Sequence, residues 1–392
     1  MTLLRAAVIG TGFVGPHHVD AIRRGGYGEV VALGGADGPQ LDAVAHRLGI
    51  ARATLDIDSL LSDPGIDVVH ICTPNVTHVA LATAALEAGK HVVVEKPLAL
   101  DAASARGLVD LAARVERHAM VSFTYRGYPM IRQARSLVAD GTLGRVRLAH
   151  GQYLQDWLAR ATDYNWRLEP ATGGASRAIA DIGSHWFDTI EYVSGLRIEA
   201  VLADLATFIP FRARPASDTV AFGTAIGSTE QVAVASEDAA TILVRFEGGA
   251  RGACVVSQVS PGHKNDFAIE LTGTDRSLAW RQEAPEGLWL GAIDGAQLLV
   301  RAPAPVEAGV PSLPAGHPEG WGEALRDLLR SFYAAIVAAD PLPAAGAPAP
   351  YPTLADGARA VTFVEAALIS ARESRWVAMS ETSPGPKEST DA

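Results

Sequence analysis

Gly10-Thr11-Gly12-Phe13-Val14-Gly15 decides how this chain folds. It follows an apolar run, Arg5–Ile9, that reads as a strand, and it opens a helical pattern over Val14–Arg24. Between a strand and a helix each glycine has a task. The first permits a tight turn, the second lets backbone approach a pyrophosphate, and the third lets helix and strand pack closely. The helix then presents free N–H groups to the anion. Alone the pattern is weak; in a strand–loop–helix context at the head of an alternating segment it is strong. Gly10, Gly12, Phe13, Val14 and Gly15 are therefore expected to line a dinucleotide site, against the plainer reading of a glycine-rich turn without ligand.

The flanking sequence keeps the same rhythm. Strands are expected at Glu29–Leu33, Ile66–Cys72, His91–Val94 and Ala119–Phe123, and helices at Gln40–Leu48, Val76–Ala88 and Ala102–Arg117. Strands alternating with helices imply a parallel sheet covered on both faces, a doubly wound α/β (Rossmann) domain over residues 1–125. After Tyr125 the pattern changes. A helix over Tyr128–Ala139, a strand over Val146–Leu154 and a helix over Asp181–Val193 lead into strands at Ala200–Phe208, Ala240–Phe246, Ala250–Ser257, Phe267–Thr272, Ser277–Arg281 and Gln297–Arg301. These alternate apolar and polar residues, as an antiparallel sheet with one covered face does. Helices at Trp321–Ala338 and Leu354–Ala371 and a short strand at Trp376–Met379 close an α+β domain over 126–379. The polar tail, 380–392, is expected to be disordered.

Composition narrows the partners. With 392 residues and 48% apolar content the chain suits two full-sized cores. A formal charge of -11 with scattered Lys and Arg argues against nucleic acid. The start of the chain lacks the pattern of a signal peptide, and no run approaches the ~18 apolar residues of a membrane span, so a cytoplasmic protein is expected. Cys72 and Cys254 sit in apolar stretches and read as buried hydrophobes. The histidines show no ligand spacing, and no metal site is expected.

After the second strand an acidic residue would ordinarily bind the ribose 2′-hydroxyl. Here the chain reads Leu33-Gly34-Gly35-Ala36-Asp37, with Gly35 at the acid's place. Both NAD and NADP stay open. Asp37 reads equally as a displaced ribose contact or as a loop residue.

Glu95-Lys96-Pro97 ends the strand His91–Val94, which points Lys96 into the crevice where such sheets bind ligands. Oxidising an alcohol needs a group that takes the hydroxyl proton and steadies the alkoxide, and a lysine there suits both. Asp181 and His185 are four apart and share one helix face. His185 also reads as a core histidine, because Trp186 and Phe187 mark that helix as buried.

Together, Gly10-x-Gly12-x-x-Gly15, Cys72-Thr73-Pro74-Asn75-x-x-His78, Glu95-Lys96-Pro97 and Asp181-Ile182-Gly183-Ser184-His185 resemble the glucose–fructose oxidoreductase / inositol dehydrogenase / rhizopine-catabolism (Gfo/Idh/MocA) family, in order and with fitting spacing. The resemblance implies a large open, mostly antiparallel sheet in the second domain. It implies catalytic roles for Lys96, Asp181 and His185, and cofactor contacts from Thr73, Pro74, Asn75, His78, Glu95 and Lys96. Tyr153-Leu154-Gln155-Asp156-Trp157 and Asn165-Trp166-Arg167 are similar to a branch with levoglucosan dehydrogenase-like members.

The expected function is hydride transfer between a nicotinamide (NAD or NADP) and a ring hydroxyl or ketone carbon of a sugar or cyclitol. Substrate contacts are expected from Lys96, Arg126, Trp157, Trp166, Asp181 and His185; Gly262-His263-Lys264-Asn265 could also reach the site from the sheet, but reads rather as a polar hairpin end. An NADPH-dependent keto-sugar reductase and a non-catalytic dinucleotide- or sugar-binding regulator are the rival readings. A free sheet face suits a homo-dimer or homo-tetramer.

Overall fold

A computed structural model describes residues 3–215, 229–301, 313–343, 347 and 349–382; the tail beyond 382 lies outside the described residues. The first part runs β1 (Leu4–Ile9), α1 (Val14–Gly25), β2 (Gly28–Gly34), α2 (Gly38–Leu48), β3 (Ala53–Thr54), α3 (Ile57–Leu61), β4 (Val68–Ile71), α4 (His78–Glu87), β5 (His91–Val94), α5 (Ala102–Arg114) and β6 (Ala119–Val121). The strands pair in parallel in the order β3-β2-β1-β4-β5-β6. That order reverses between β1 and β4, and a crevice opens at the carboxyl ends of strands flanking such a reversal. Val68–Ile71 is buried throughout, as a strand covered on both faces must be. Asp37 caps α2 by accepting from Gln40 N at 3.1 Å, and Gly49 ends that helix at φ 63°.

The second part contains α6 (Pro129–Ala139), β7 (Leu148–Leu154), a single turn α7 (Pro170–Gly173), α8 (Ser184–Ser194), β8 (Ile198–Ala206), β9 (Phe211–Pro215), β10 (Thr229–Ala233), β11 (Ala239–Phe246), β12 (Arg251–Ser257), β13 (Asp266–Thr272), β14 (Ser277–Arg281), β15 (Gly287–Ala292), β16 (Gly295–Val300), α9 (Trp321–Val337), α10 (Leu354–Glu373) and β17 (Val377–Ala378). Nine strands form one sheet, β16-β15-β14-β13-β7-β12-β11-β8-β17. It is antiparallel except where β7 and β12 run side by side. β11 alternates buried and exposed residues, with Ile242, Val244 and Phe246 inward. α8 lies on one face, and Leu148, Leu243, Val255 and Trp289 stay exposed.

The last quarter of the chain returns to the first sheet. Leu325, Leu328, Leu329 and Phe332 of α9 share a core with Val19 and Ile22 of α1 and with Val8 and Leu33. Val121 N donates to Pro352 O at 3.1 Å, so the edge of the first sheet is closed by the segment entering α10.

Sequence periodicity missed β3, α3, β15 and the β9–β10 pair. These are short, and β15 (Gly-Leu-Trp-Leu-Gly-Ala) is bounded by glycines and a proline, which reads as a loop. It also took Asp181–Val193 as one α-helix. The chain forms a π-turn over Ile179–Gly183 before α8, a local widening often found at functional sites. No helix of the described residues is long and apolar enough to cross a membrane.

Candidate active site

The glycine-rich loop lies where its spacing requires. Gly10 adopts φ 118°, and a Cβ there would stand 2.3 Å from Cys72 O. A Cβ on Gly15 would stand 2.0 Å from Gly10 O, so only glycine lets α1 sit this close to β1. Gly12 has nothing within 4 Å of its Cβ position; its backbone borders open space. That space belongs to a cavity of about 1850 Å³ reaching from this loop to the nine-stranded sheet. Gly10, Gly12, Phe13 and Val14 line it, as do Thr73, Pro74, Asn75, Glu95 and Lys96. No side chain caps the start of α1, which leaves its N–H groups for an anion. The loop, the bare Gly12 edge and the elongated cavity fit a dinucleotide.

Two expected cofactor residues act from behind the wall. Gly15 is buried beneath the loop. His78 is fully buried and bonds Pro97 O at 2.8 Å and Thr73 O at 2.9 Å. It ties the Thr73 and Lys96-Pro97 turns together without lining the cavity. Gly35 and Asp37 both border the cavity beside α2, Asp37 as the helix cap.

The three expected catalytic groups converge. Lys96 Nζ donates to Asp181 Oδ1 at 2.6 Å and to Asp181 O at 3.0 Å. Arg167 Nε reaches the same Oδ1 at 3.2 Å, and Gln258 Nε2 donates to Oδ2 at 2.7 Å. Burial alone would raise the Asp181 carboxyl. The charges of Lys96 and Arg167 more than offset it and hold it well below the usual carboxylate range. Asp181 is thus an occupied anion, an anchor for Lys96 rather than a free base. His185 borders the same cavity. Burial, then the Lys96 charge, pushes its imidazole down to about 3, so the ring is uncharged near neutral pH. It is boxed by Phe123, Tyr125 and Tyr153, and its Nδ1 is buried with no partner.

On the substrate side, Trp157 and Trp166 line the cavity. Trp157 Nε1 donates to Gln155 Oε1 at 3.0 Å, and the Arg167 guanidinium lies 4.4 Å over the Trp166 ring. Asn265, read from sequence as part of a polar hairpin end, is a centre of the site. It accepts from Tyr153 Oη at 2.5 Å and Gln155 Nε2 at 3.1 Å, and donates to Tyr125 Oη at 3.2 Å. Burial lifts the Tyr125 hydroxyl to about 12 and Tyr153 also upward, so both remain protonated donors. Lys264 borders the cavity too, paired with Asp156 at 2.6 Å.

Arg126 requires a correction. It does not border the cavity. It is buried and holds Asp188 through two bonds, at 2.8 and 2.5 Å, with Asp356 at 3.1 Å. Its place just after the last parallel strand suggested the crevice, but the short 3₁₀ turn over Thr124–Gly127 carries its side chain to α8 and α10 instead. Gln155, Arg167 and Asn265 lie in stretches the sequence offers to the substrate side, though none is singled out there as a contact; Gln258 escaped altogether, because a lone amide carries no spacing signal. Among the described residues no group of three His, Cys, Asp or Glu side chains could hold a metal ion.

Comparisons with known proteins agree with this architecture. Residues 4–123 match the family described as "Oxidoreductase family, NAD-binding Rossmann fold", and residues 131–279 match the GFO/IDH/MocA C-terminal domain. The chain is 32% identical over 349 residues to a levoglucosan dehydrogenase of Pseudarthrobacter phenanthrenivorans, covering 86% of this chain and 87% of that one. The solved structure of an oxidoreductase domain protein from Kribbella flavida superposes with a TM-score of 0.86 at 33% identity, covering 97% of this chain and 100% of that one. A levoglucosan dehydrogenase in complex with NADH and L-sorbose also gives 0.86, at 29% identity, covering 97% and 99%.

Proposed function

The chain belongs to the GFO/IDH/MocA oxidoreductase family, and on that footing we propose that it is an NAD(P)-dependent enzyme moving hydride between the nicotinamide and a ring hydroxyl or ketone carbon of a sugar or cyclitol. The observation that carries this reading is the meeting of Lys96, Asp181 and His185 on one wall of the cavity bordered by the glycine-rich loop. The bound nicotinamide supplies or accepts the hydride.

The residues do the rest. Asp181 holds Lys96, whose ammonium donates to the substrate oxygen and steadies it as an alkoxide or carbonyl. His185, on the same cavity wall, is placed to accept the hydroxyl proton during oxidation and to return it during reduction. Trp157 and Trp166 offer flat apolar faces to the C–H face of a ring, while Gln155, Arg167 and Asn265 offer directed partners for hydroxyls. The fixed charges around the cavity are largely paired with one another (Arg214 with Glu230, Lys264 with Asp156), which favours an uncharged substrate. Keto-sugar reduction uses the same groups in the opposite direction. A regulator without turnover would not need Lys96 and Asp181 joined at 2.6 Å beside an uncharged imidazole.

The exposed face of the nine-stranded sheet, with Leu148, Leu243, Val255 and Trp289, suits pairing with a second copy, so the working form is read as a homo-dimer or homo-tetramer. Two buried thiols suit a cytoplasmic protein. The test is a screen of the purified protein with NAD and with NADP across anhydrosugars, aldoses, ketoses and cyclitols, following the reduced nicotinamide. Turnover confined to ring alcohols or ketones is expected; dinucleotide binding without turnover of any of them would favour the regulator.

A further inference from the structure

Behind Glu95 runs a buried polar chain that the hydride-transfer scheme does not use. Glu95 Oε1 lies 3.0 Å from His18 Nε2; His18 Nδ1 lies 2.9 Å from His70 Nδ1; His70 Nε2 lies 2.8 Å from Tyr333 Oη. His18 and His70 are fully buried and Tyr333 is nearly so. The chain joins four elements: the turn after β5, α1, β4 and α9. We propose that His18 and His70 are positioning residues which, with Tyr333, form a one-way hydrogen-bond chain holding the Glu95 carboxylate in place on the dinucleotide cavity. The proposal rests on the dinucleotide reading of that cavity.

The direction follows from counting protons. Between two Nδ1 atoms one must donate and the other accept. Tyr333 Oη has no other hydrogen-bond partner among the described residues, and a buried hydroxyl proton left without an acceptor is costly. The hydroxyl therefore donates to His70 Nε2. His70 then carries its proton on Nδ1 and gives it to His18 Nδ1. His18 carries its own on Nε2 and gives it to Glu95. Every donor and acceptor is used once, and the chain ends on an anion. Burial pushes the His70 imidazole well down, consistent with a ring holding a single proton. Burial would raise Glu95, but the His18 bond and nearby charges bring it below its ordinary value. The Tyr333 ring has a reserved place: a Cβ on Gly28 would stand 2.5 Å from its Cε1.

The experiment is long-range proton–nitrogen NMR on the ligand-free full chain labelled at histidine, with His18 and His70 assigned through His18→Gln and His70→Gln. The expected result is His18 protonated only on Nε2 and His70 only on Nδ1. Two Nε2 tautomers, or a doubly protonated ring at either position, would overturn the proposal. This readout needs neither cofactor nor a folded variant beyond the assignment. A thermodynamic cycle supplies the second arm. Glu95→Gln and His70→Gln should each weaken NADH binding about tenfold, the loss of one charge-assisted bond, and the double variant should be no worse than Glu95→Gln alone. Additive losses would show that His70 does not act through Glu95. Should the wild-type chain bind no dinucleotide at all, the functional reading fails while the tautomers still decide the chain.

Discussion

Lys96 Nζ touches Asp181 twice, at the carboxylate (2.6 Å) and at its own backbone carbonyl (3.0 Å). Asp181 lies within the π-turn over Ile179–Gly183. One side chain thus senses both the charge and the backbone position of its partner, which fixes the ammonium more tightly than a single ion pair would.

Lys96→Met should lower turnover roughly a hundredfold to ten-thousandfold, the usual worth of a positioned proton-transfer or oxygen-steadying group. The fold should survive, because Asp181 keeps Arg167 and Gln258 as partners. Steady-state rates and a melting curve check both halves; wild-type turnover would remove Lys96 from the chemistry.

His185 and His91 are pushed down to about 3 and about 4 from the ordinary 6.5, chiefly by burial. In the unfolded chain both take up protons below pH 6.5, while in the folded chain they do not until much lower. Stability should therefore fall as pH drops from 6.5 towards 4, by up to about 2 kcal/mol for each group between pH 6.5 and 5. His70 and His78 shift in the same direction. Urea midpoints at pH 7 and pH 5 measure the effect, and equal midpoints would contradict it.

Arg126→Ala should act on stability and not on substrate affinity. It would leave Asp188 and Asp356 buried without their cation, a loss of about 3–5 kcal/mol. Denaturation midpoints should drop while KM for the sugar, measured at a temperature where the variant is folded, stays put. A raised KM would return Arg126 to the substrate site.

Gly35→Asp should shift cofactor choice towards NAD by about tenfold over NADP, since a carboxylate there repels a 2′-phosphate. A Cβ at Gly35 meets Leu41 Cδ1 at 3.3 Å and Thr11 Cγ2 at 3.4 Å, tight contacts with side-chain ends that can give. The ratio of kcat/KM for the two dinucleotides is the measurement.

Asn265→Ala should raise KM for the sugar roughly tenfold with a smaller effect on kcat, because it removes the shared partner of Tyr125, Tyr153 and Gln155. A selective fall in kcat would place Asn265 in the chemistry instead.

Five of the six strands of the first sheet were readable because they are continuous apolar runs, and its loop because three glycines at fixed spacing have few other uses; the two-residue β3 is too short to leave a pattern. Lys96, Asp181 and His185 were readable through order and spacing. What escaped had no local signature. Arg126 looked like a crevice residue by position, yet its partners Asp188 and Asp356 lie 62 and 230 residues further along. Asn265 looked like a turn residue because its partners, Tyr125, Tyr153 and Gln155, are distant in the chain. His18 and His70 looked scattered because only the packing of α1 on β4 brings their rings together.

The return of α9 to α1 has a consequence for how the protein is made. The six-stranded sheet emerges from the ribosome early, but the helix that shields Val19 and Ile22 begins at Trp321, 200 residues after Val121. At about 5–20 residues per second that interval lasts on the order of 10–40 s. Throughout it the newborn nucleotide-binding domain carries an apolar flank that α9 has yet to cover.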